Sequence, residues 1–332
     1  MQLLTVWFQF LVLTALIVYA GINLSRYADF IAAHTKLGRI WIGVLLLAVA
    51  TSLPELINGI SASLRALPDI AIGNVLGACV LNLLQIAIID IYYRPSPVLN
   101  RADKGHLISA GFGVFMLFIV GYSLIAAKLG FSLNLLNIGV YTPIIIISYS
   151  LAIRYVFLFE QKKVAKEIKE VAKPMKIKLS TAYSIFALFA LMIVIAGAFL
   201  PAVGAQIAEI SGWNQSFVGT IFIAISTSLP EMSVSISAIA IGAIDLALGN
   251  ILGSNLFNIL IIAIDDFFFS GQAILSATSS ANLLSVMAVI AMYSVVIINI
   301  IHESRVKKLR VTSTVVLLLA IFLLNTYLVF RA

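Results

Sequence analysis

The sequence predicts an all-α, polytopic membrane protein whose ten transmembrane helices form two inverted five-helix repeats. Apolar residues make up 62% of the 332-residue chain and charged residues only 11%, whereas soluble domains carry about 25% charged residues. Apolar runs long enough to cross a hydrocarbon core, roughly 20 residues each, recur from end to end. A gapless internal repeat then sets the relation between the two halves.

Ten apolar runs are predicted to span the membrane. They cover residues 3–24, 39–65, 70–92, 106–127, 133–158, 180–203, 216–243, 246–268, 281–301 and 311–330. The longest interior connection, residues 160–179, is rich in lysine and glutamate, and we interpret it as a linker. It divides the chain into a first five-helix half, 1–159, and a second, 180–332.

The net charge of +7 reflects membrane topology and not nucleic-acid binding. If the N-terminus lies outside, all 21 Lys and Arg residues except Arg65, Lys128 and Arg331 fall in cytoplasmic segments. This asymmetry is the positive-inside pattern. It predicts an integral protein of the cell membrane in which both termini lie outside and the linker is cytoplasmic. The oligomeric state stays open.

Residues 43–90 align with residues 219–266 without a gap. TSLPE recurs whole, at 51–55 and 227–231, and G-N-x-L-G recurs at 73–77 and 249–253. Five predicted spans separate the two copies, so equivalent helices cross the membrane in opposite directions. Inverted repeats of this kind are typical of secondary transporters, whose substrate sites lie near the midplane.

Two of the fourteen acidic residues, Glu55 and Glu231, lie deep within apolar runs, and they are repeat equivalents. An ionisable side chain at that depth costs several kcal/mol and indicates a functional site. The other acids are predicted to lie in loops or at span ends. The loop group is Asp29, Asp69, Asp103, Glu160, Glu167, Glu170, Glu209, Asp245 and Glu303, and the span-end group is Asp90, Asp265 and Asp266.

A structural role for the two glutamates is also possible. Ser52-x-x-Glu55 and Ser228-x-x-Glu231 have the spacing of a helix capping box, and each contains a proline near the expected first turn. A cap in mid-membrane implies a broken helix, which is tolerated where it is buried in protein or lines a cavity. Capping and ion binding are therefore compatible here.

The oxygen groups near the glutamates favour a hard cation. Asn82 and Asn258 follow the G-N-x-L-G motifs in mid-span, where an unpaired amide is costly; their alternative role is hydrogen bonding between helices. Calcium takes six to eight oxygen ligands and accepts carboxylates, amides and carbonyls. Candidate hydroxyl ligands are Thr51, Ser52, Thr227, Ser228 and Ser254.

Other classes of site fit the sequence less well. The three histidines, His34, His106 and His302, fall in or beside loops, which disfavours zinc or copper. The single cysteine, Cys79, excludes a cysteine cluster. Enzyme motifs such as H-E-x-x-H, a P-loop or G-x-S-x-G are absent from the sequence. We therefore expect a transporter without a cofactor and not an enzyme.

Two pairs of motifs carry a resemblance to a known family: TSLPELINGISAS with GNVLGACVLN in the first half, and TSLPEMSVSISAI with GNILGSNLFN in the second. In these motifs the sequence resembles the calcium/cation antiporter superfamily, in particular its sodium/calcium exchanger branch. The resemblance implies ten helices, alternating access, and first and sixth helices that slide past a core. It makes Glu55 and Glu231 the central carboxylates and adds carbonyl ligands from Ala48 and Ala224. The other implied ligands are Thr51, Thr227, Ser52, Ser228, Ser254, Asn82 and Asn258.

Three positions depart from the family pattern. Ala78 stands where serine is usual, Cys79 where asparagine is usual, and Asn258 where microbial relatives often have aspartate. These departures leave sodium or protons as the ion exchanged for calcium, although the proton branch typically carries a glutamate after its G-N motif that GNVLGA and GNILGS lack. A passive cation channel and a degenerate site that serves only assembly remain as rivals.

Overall fold

The computed structural model describes residues 2–34, 51–93, 97–131, 134–135, 137–167, 177–240, 242, 244–302 and 312–332. Within them the chain is almost entirely helical. The helices are α1 (Gln2–His34), α2 (Leu53–Leu64), α3 (Pro68–Tyr92), α4 (His106–Lys128), α5 (Tyr141–Glu167), α6 (Leu179–Ser211), α7 (Gln215–Ala240), α8 (Ile244–Phe268), α9 (Ala281–Ile301) and α10 (Ser313–Arg331). Short 3₁₀ and α turns occur at Val98–Arg101 and Ile274–Ala277.

Nine of these helices, in the described part of the chain, are long and apolar enough to cross a membrane. The other helix is α2, whose predicted span of 39–65 begins among residues that the structure does not describe. Large apolar side chains on α1, α4 and α10 are exposed, for example Leu4 at 76%, Phe118 at 64% and Leu323 at 63%. Lipid is the medium that accommodates such a surface, and the chain is an integral membrane protein.

Several helices extend beyond the spans that the sequence predicts. As a result Asp29, Glu160, Glu167 and Glu209 belong to helices and not to loops, which corrects our prediction for them. The other difference from an all-helical chain is a two-residue hairpin, in which Asn134–Leu135 pairs antiparallel with Ile138–Gly139. A longer helix exposes polar residues beyond the hydrocarbon core without breaking its backbone hydrogen bonds, so apolar length underestimates helix length.

Helices α3 and α8 form the centre of the molecule and are buried along most of their length. They cross at Cys79 and Asn255, which are repeat equivalents. The side chain of each contacts the backbone of the other: Asn255 Nδ2 donates to the Cys79 carbonyl at 3.2 Å, and Cys79 Sγ lies 3.9 Å from the Asn255 carbonyl. The inverted repeat therefore appears in the structure as an approximate two-fold relation through this crossing.

The motif glycines of the first repeat let α3 approach α7 closely. A Cβ added at Gly73 would lie 2.9 Å from the Ser216 carbonyl, and one at Gly77 would overlap the backbone of Thr220. The contacted part of α7, Val218–Ile223, is π-helical. Insertions of this kind in α-helices are frequent near functional sites, and three residues separate the end of this one from the TSLPE segment.

Two further acids connect the halves reciprocally, which corrects their placement in loops. Asp69 lies in the first turn of α3, and its Oδ1 accepts hydrogen bonds from Ser279 N (2.7 Å) and Asn282 Nδ2 (2.9 Å). Its repeat equivalent Asp245, in the first turn of α8, accepts from Asp103 N at 2.9 Å and pairs with His106 Nε2 at 3.0 Å. Each half thus holds the start of a helix from the other.

Two of the three acids that we predicted at span ends, Asp265 and Asp266, are buried. Asp266 is 1% exposed, and it accepts hydrogen bonds from Gly139 N, Tyr141 Oη, Thr142 Oγ1 and Ile274 N at 2.5–2.8 Å. Its repeat equivalent Asp90 accepts from Val98 N at 2.6 Å and from Thr312 Oγ1 at 2.8 Å. Both acids fix the segment that follows their helix. Asp265, beside Asp266, is 0% exposed.

Candidate ion-binding site

The two glutamates of the TSLPE segments meet at the centre of the molecule. Glu55 lies in the first turn of α2 and Glu231 lies within α7, and they are 0% and 1% exposed. Their carboxyl groups are close enough to interact electrostatically. Two carboxylates buried together repel each other and have lost their hydration, so the pair requires bound positive charge.

The serines of the same segments bind the glutamates of the opposite half. Ser228 Oγ donates to Glu55 Oε1 at 2.9 Å, and Ser52 Oγ donates to Glu231 Oε1. These bonds replace the capping box that the spacing suggested. Ser52 does interrupt the helix between Thr51 and Leu53, but its side chain makes no capping hydrogen bond. In the second half of the chain, Pro230 lies inside α7 and the helix continues past it, so the second predicted helix break is wrong.

Each glutamate keeps one carboxylate oxygen without a hydrogen-bond partner among the described residues, Glu55 Oε2 and Glu231 Oε2. Ser254 and Asn82 lie beside the Glu231 carboxyl group, and both are fully buried. The amide oxygen of Asn82 accepts a hydrogen bond from Gln85 Nε2 at 2.9 Å. Buried oxygens without donors are costly, and a cation would satisfy them.

Asn258 lies on α8 one helical turn after Ser254, and both are 0% exposed. The amide oxygen and nitrogen of Asn258 and the hydroxyl oxygen of Ser254 have no hydrogen-bond partner of ordinary geometry among the described residues. The first-half equivalent of Ser254 is Ala78, which is buried and offers no oxygen. The two halves therefore supply unequal numbers of side-chain oxygens to the centre.

The remaining predicted ligands lie on the same two helical segments. Thr227 is 0% exposed; its Oγ1 lies 3.0 Å from Asn74 Oδ1 and 3.2 Å from the Ala224 carbonyl, so this carbonyl is within reach of the site. Thr51, its repeat equivalent, is also fully buried. Ala48 lies outside the described residues, and its predicted carbonyl ligand is untested.

Two asparagines that the sequence analysis left without a role support the site. Asn74 Oδ1 accepts the Thr227 hydroxyl, and Asn74 Nδ2 lies 3.5 Å from the Glu55 carbonyl. Its equivalent Asn250 has Nδ2 at 3.4 Å from the Glu231 carbonyl and at 3.0 Å from Ser235 Oγ. Both residues are the asparagine of the G-N-x-L-G motif. The recurrence of this asparagine in the two repeats was the sequence signal that could have assigned them a role at the site.

The donor set suits a hard cation. In the described part of the chain no three His, Cys, Asp or Glu side chains come together to hold a metal. The centre instead combines two carboxylates with hydroxyl, amide and carbonyl oxygens, the donor types that calcium and sodium accept. Zinc prefers several thiolate or imidazole donors, whereas the one cysteine near the centre, Cys79, lies with its Sγ 3.9 Å from the Asn255 carbonyl.

Comparison with known proteins gives a consistent result. The family model described as sodium/calcium exchanger protein matches residues 5–159 and 181–331. An uncharacterised membrane protein of Methanocaldococcus jannaschii is 29% identical over 234 residues, which is 70% of this chain and 71% of that protein. The sodium/calcium exchanger MaX1 of Methanosarcina acetivorans is 25% identical over 307 residues, covering 80% and 84% of the two chains.

Among solved structures, the sodium-calcium exchanger NCX_Mj soaked with 10 mM sodium superimposes with a TM-score of 0.59. The match covers 97% of this chain and 98% of that one at 22% identity. Likeness at this identity establishes the fold of two inverted halves that was predicted from the repeat.

Proposed function

The chain belongs to the sodium/calcium exchanger protein family, a family of ion transporters, and from this premise we propose that it exchanges calcium for sodium by alternating access. One observation carries the proposal. The repeat-related Glu55 and Glu231 are buried together, each held by a serine of the opposite half, and each retains a carboxylate oxygen without a partner among the described residues. Two negative charges so arranged match one divalent cation.

Within the proposed site, the two carboxylates are the central calcium ligands. Ser52 and Ser228 orient them, and the remaining oxygens complete the coordination shells of calcium or sodium. These oxygens come from Thr51, Thr227, Ser254, Asn82, Asn258 and the carbonyls of Ala48 and Ala224.

Coupling follows from the cost of buried charge. With no cation bound, the paired carboxylates cannot pass through a water-excluded intermediate, because the desolvation of two negative charges is uncompensated. One calcium ion or several sodium ions neutralise the pair and allow the site to change sides. Exchange, and not uniport, is then the permitted cycle.

The test is radiolabelled calcium flux into proteoliposomes that carry an outward sodium gradient. We expect sodium-driven uptake in the wild-type protein and loss of uptake in Glu231→Gln and Glu55→Gln. Glu209→Gln, which changes an exposed glutamate at the end of α6, is the control and should transport normally. Near-normal flux in Glu231→Gln would overturn the proposal, as would flux that persists without any exchanging ion, which indicates a channel.

A second candidate, proton-driven calcium exchange, is favoured by the missing ligand in the first half. Ala78 is fully buried at the position equivalent to Ser254, so one sodium-coordinating hydroxyl is absent. The same proteoliposomes distinguish the two drivers. Uptake driven by a pH gradient in sodium-free buffer would favour protons, and uptake that requires sodium would favour the first proposal.

We also propose that both termini lie outside the cell membrane and that residues 160–179 are cytoplasmic. The only native cysteine, Cys79, is buried, so an introduced cysteine can report topology. A membrane-impermeant maleimide applied to intact cells should label Ala332→Cys and should not label Lys162→Cys before the membrane is opened. The opposite pattern would reverse the orientation.

A further inference from the structure

The fully buried acid Asp265, on α8, lies outside the ion site described above. Its side chain is 0% exposed, and both carboxyl oxygens lack a hydrogen-bond partner among the described residues. The equivalent residue of the first half is Ile89, which is also buried. The repeat architecture therefore accommodates an apolar side chain at this position and does not require the acid.

The neighbouring helix has a space that fits the carboxyl group. A Cβ added at Gly59 of α2 would lie 2.5 Å from Asp265 Oδ2 and 2.6 Å from Oδ1. The repeat equivalent of Gly59 is Ser235, whose hydroxyl accepts a hydrogen bond from Asn250. A carboxyl group thus packs directly against the α2 backbone, one helical turn after Glu55.

No described positive charge compensates Asp265. Among the residues that the structure describes, the ionisable neighbour whose charge acts on it is Asp266, which is itself negative. Asp266 points to the hairpin and the start of α5, where Tyr141 donates to it. Arg65 follows the last residue of α2, and its guanidinium donates to the Ala198 carbonyl of α6 at 3.2 Å.

We propose that Asp265 is a proton-binding site, separate from the central glutamate pair, which holds a proton while α2 and α8 are packed together. Release breaks the carboxyl O–H bond and passes the proton to water that enters between the two helices. Asp265 follows Asn258 by seven residues on one face of α8, about 10 Å along the helix axis, so the proton site and the cation site share two helices.

Geometry favours a proton over a metal ion at this position. Sodium and calcium need a shell of about six oxygens, whereas the Asp265 carboxyl group packs against Gly59 and has no hydrogen-bond donor among the described residues. Burial of an unpaired carboxylate is costly, and a proton removes the charge without requiring further ligands. The packing seen here is therefore that of the neutral acid.

Infrared spectroscopy of the purified full-length protein tests occupancy directly. In the Glu55→Gln/Glu231→Gln background, which removes the central carboxyls, we expect a carbonyl band of a protonated carboxylic acid at neutral pH that shifts in heavy water. Adding Asp265→Asn should remove that band. If the acid bands are the same with and without Asp265→Asn, the proposal is wrong. Asp265→Ala serves as a second variant should the asparagine variant aggregate.

The consequence for transport rests on the proposed function. Calcium flux of the wild-type protein should increase as the pH is raised across the range in which Asp265 releases its proton. Asp265→Asn should lose that component of the pH profile. The two ideas fail separately. Absence of calcium flux with the infrared band present overturns only the exchange proposal, whereas normal flux without the band overturns only the proton site.

Discussion

Ser228 Oγ lies 2.9 Å from Glu55 Oε1, and through this bond a residue of the second repeat holds the carboxylate of the first. The equivalent bond from Ser52 to Glu231 completes a reciprocal pair. Each repeat brings an acid and the donor for its partner's acid, so neither half forms the site by itself. A site divided in this way can open when the helices that carry it separate.

Removing one of these donors should weaken cation binding. Ser228→Ala deletes a hydrogen bond to a charged group, which contributes about 1.5–3 kcal/mol, and leaves Glu55 less well positioned. We expect the calcium concentration at half-maximal flux to increase roughly tenfold or more. Ser237→Ala, on the same helix, is the control, because that hydroxyl is exposed and bonds only to the Ser233 carbonyl at 2.8 Å. Equal effects of the two substitutions would contradict this role.

Asn74 should matter for calcium binding although it is not a predicted ligand. Asn74→Ala removes the acceptor of the Thr227 hydroxyl, 3.0 Å away, and the amide beside the Glu55 carbonyl. The free energy of calcium binding should weaken by about 1–2 kcal/mol, which is roughly a five- to thirty-fold loss of calcium affinity. The readout is the calcium-induced rise in melting temperature, which falls when affinity falls.

Asn250→Ala tests the same role in the second half and should behave similarly. Asn23→Ala is the matched control, since its side chain bonds only to the Tyr19 carbonyl of its own helix at 2.8 Å. An unchanged calcium-induced shift in both Asn74→Ala and Asn250→Ala would show that these asparagines do not support the site.

Gly59 should not tolerate a side chain. In Gly59→Ala the new Cβ would lie 2.5–2.6 Å from both oxygens of Asp265, and overpacking of this kind typically costs about 1–3 kcal/mol. The melting temperature in detergent should fall, and Asp265→Ala in the same chain should restore part of the loss. Gly111→Ala, where the new Cβ would meet no described atom within 4 Å beyond the backbone of its own helix and its chain neighbours, should be neutral. Equal stability of the two single variants would argue against the close contact.

The adjacent acids of α8 should respond differently to the same substitution. In Asp266→Asn at least one of the four hydrogen-bond donors faces an amide N–H group in place of an oxygen. We therefore expect the free energy of unfolding to fall by about 3 kcal/mol or more and the yield of folded protein to be poor. Asp265→Asn removes no hydrogen bond among the described residues, and its stability should be unchanged or higher. Thermal unfolding of both variants measures this, and the reverse order would show that the partners are misassigned.

Much of the fold was predictable because the membrane constrains it strongly. Apolar length located the helices, the gapless recurrence of TSLPE and G-N-x-L-G revealed the two halves, and the depth of Glu55 and Glu231 identified the centre of the site. Hydropathy did not predict the burial of residues that are covered by other parts of the protein and not by lipid. Asp266 lies at the end of an apolar run but is buried by a hairpin and a helix start that come from distant segments.

The site itself was predicted as a set of residues and not as a set of contacts. Local spacing suggested that Ser52 and Ser228 could cap their own helices, whereas both bond to glutamates of the opposite half. Asn74 and Asn250 stood in a recognised motif, but nothing in the sequence said that they reach the carbonyls of the two glutamates. The two serine contacts join residues more than a hundred positions apart, and local pattern carries no information about them.

The sequence by itself therefore determined the membrane-spanning architecture and the buried pair of acids, because both follow from the cost of placing polar groups in lipid. It also determined the inverted repeat, because the two copies align without a gap. Only the tertiary structure decided which donor meets which carboxylate, and that Asp265 packs against Gly59 with no hydrogen-bond partner in the described part of the chain. The reason is physical: depth in the membrane depends on hydropathy along the chain, whereas pairing depends on how the two halves interlock around the crossing of α3 and α8.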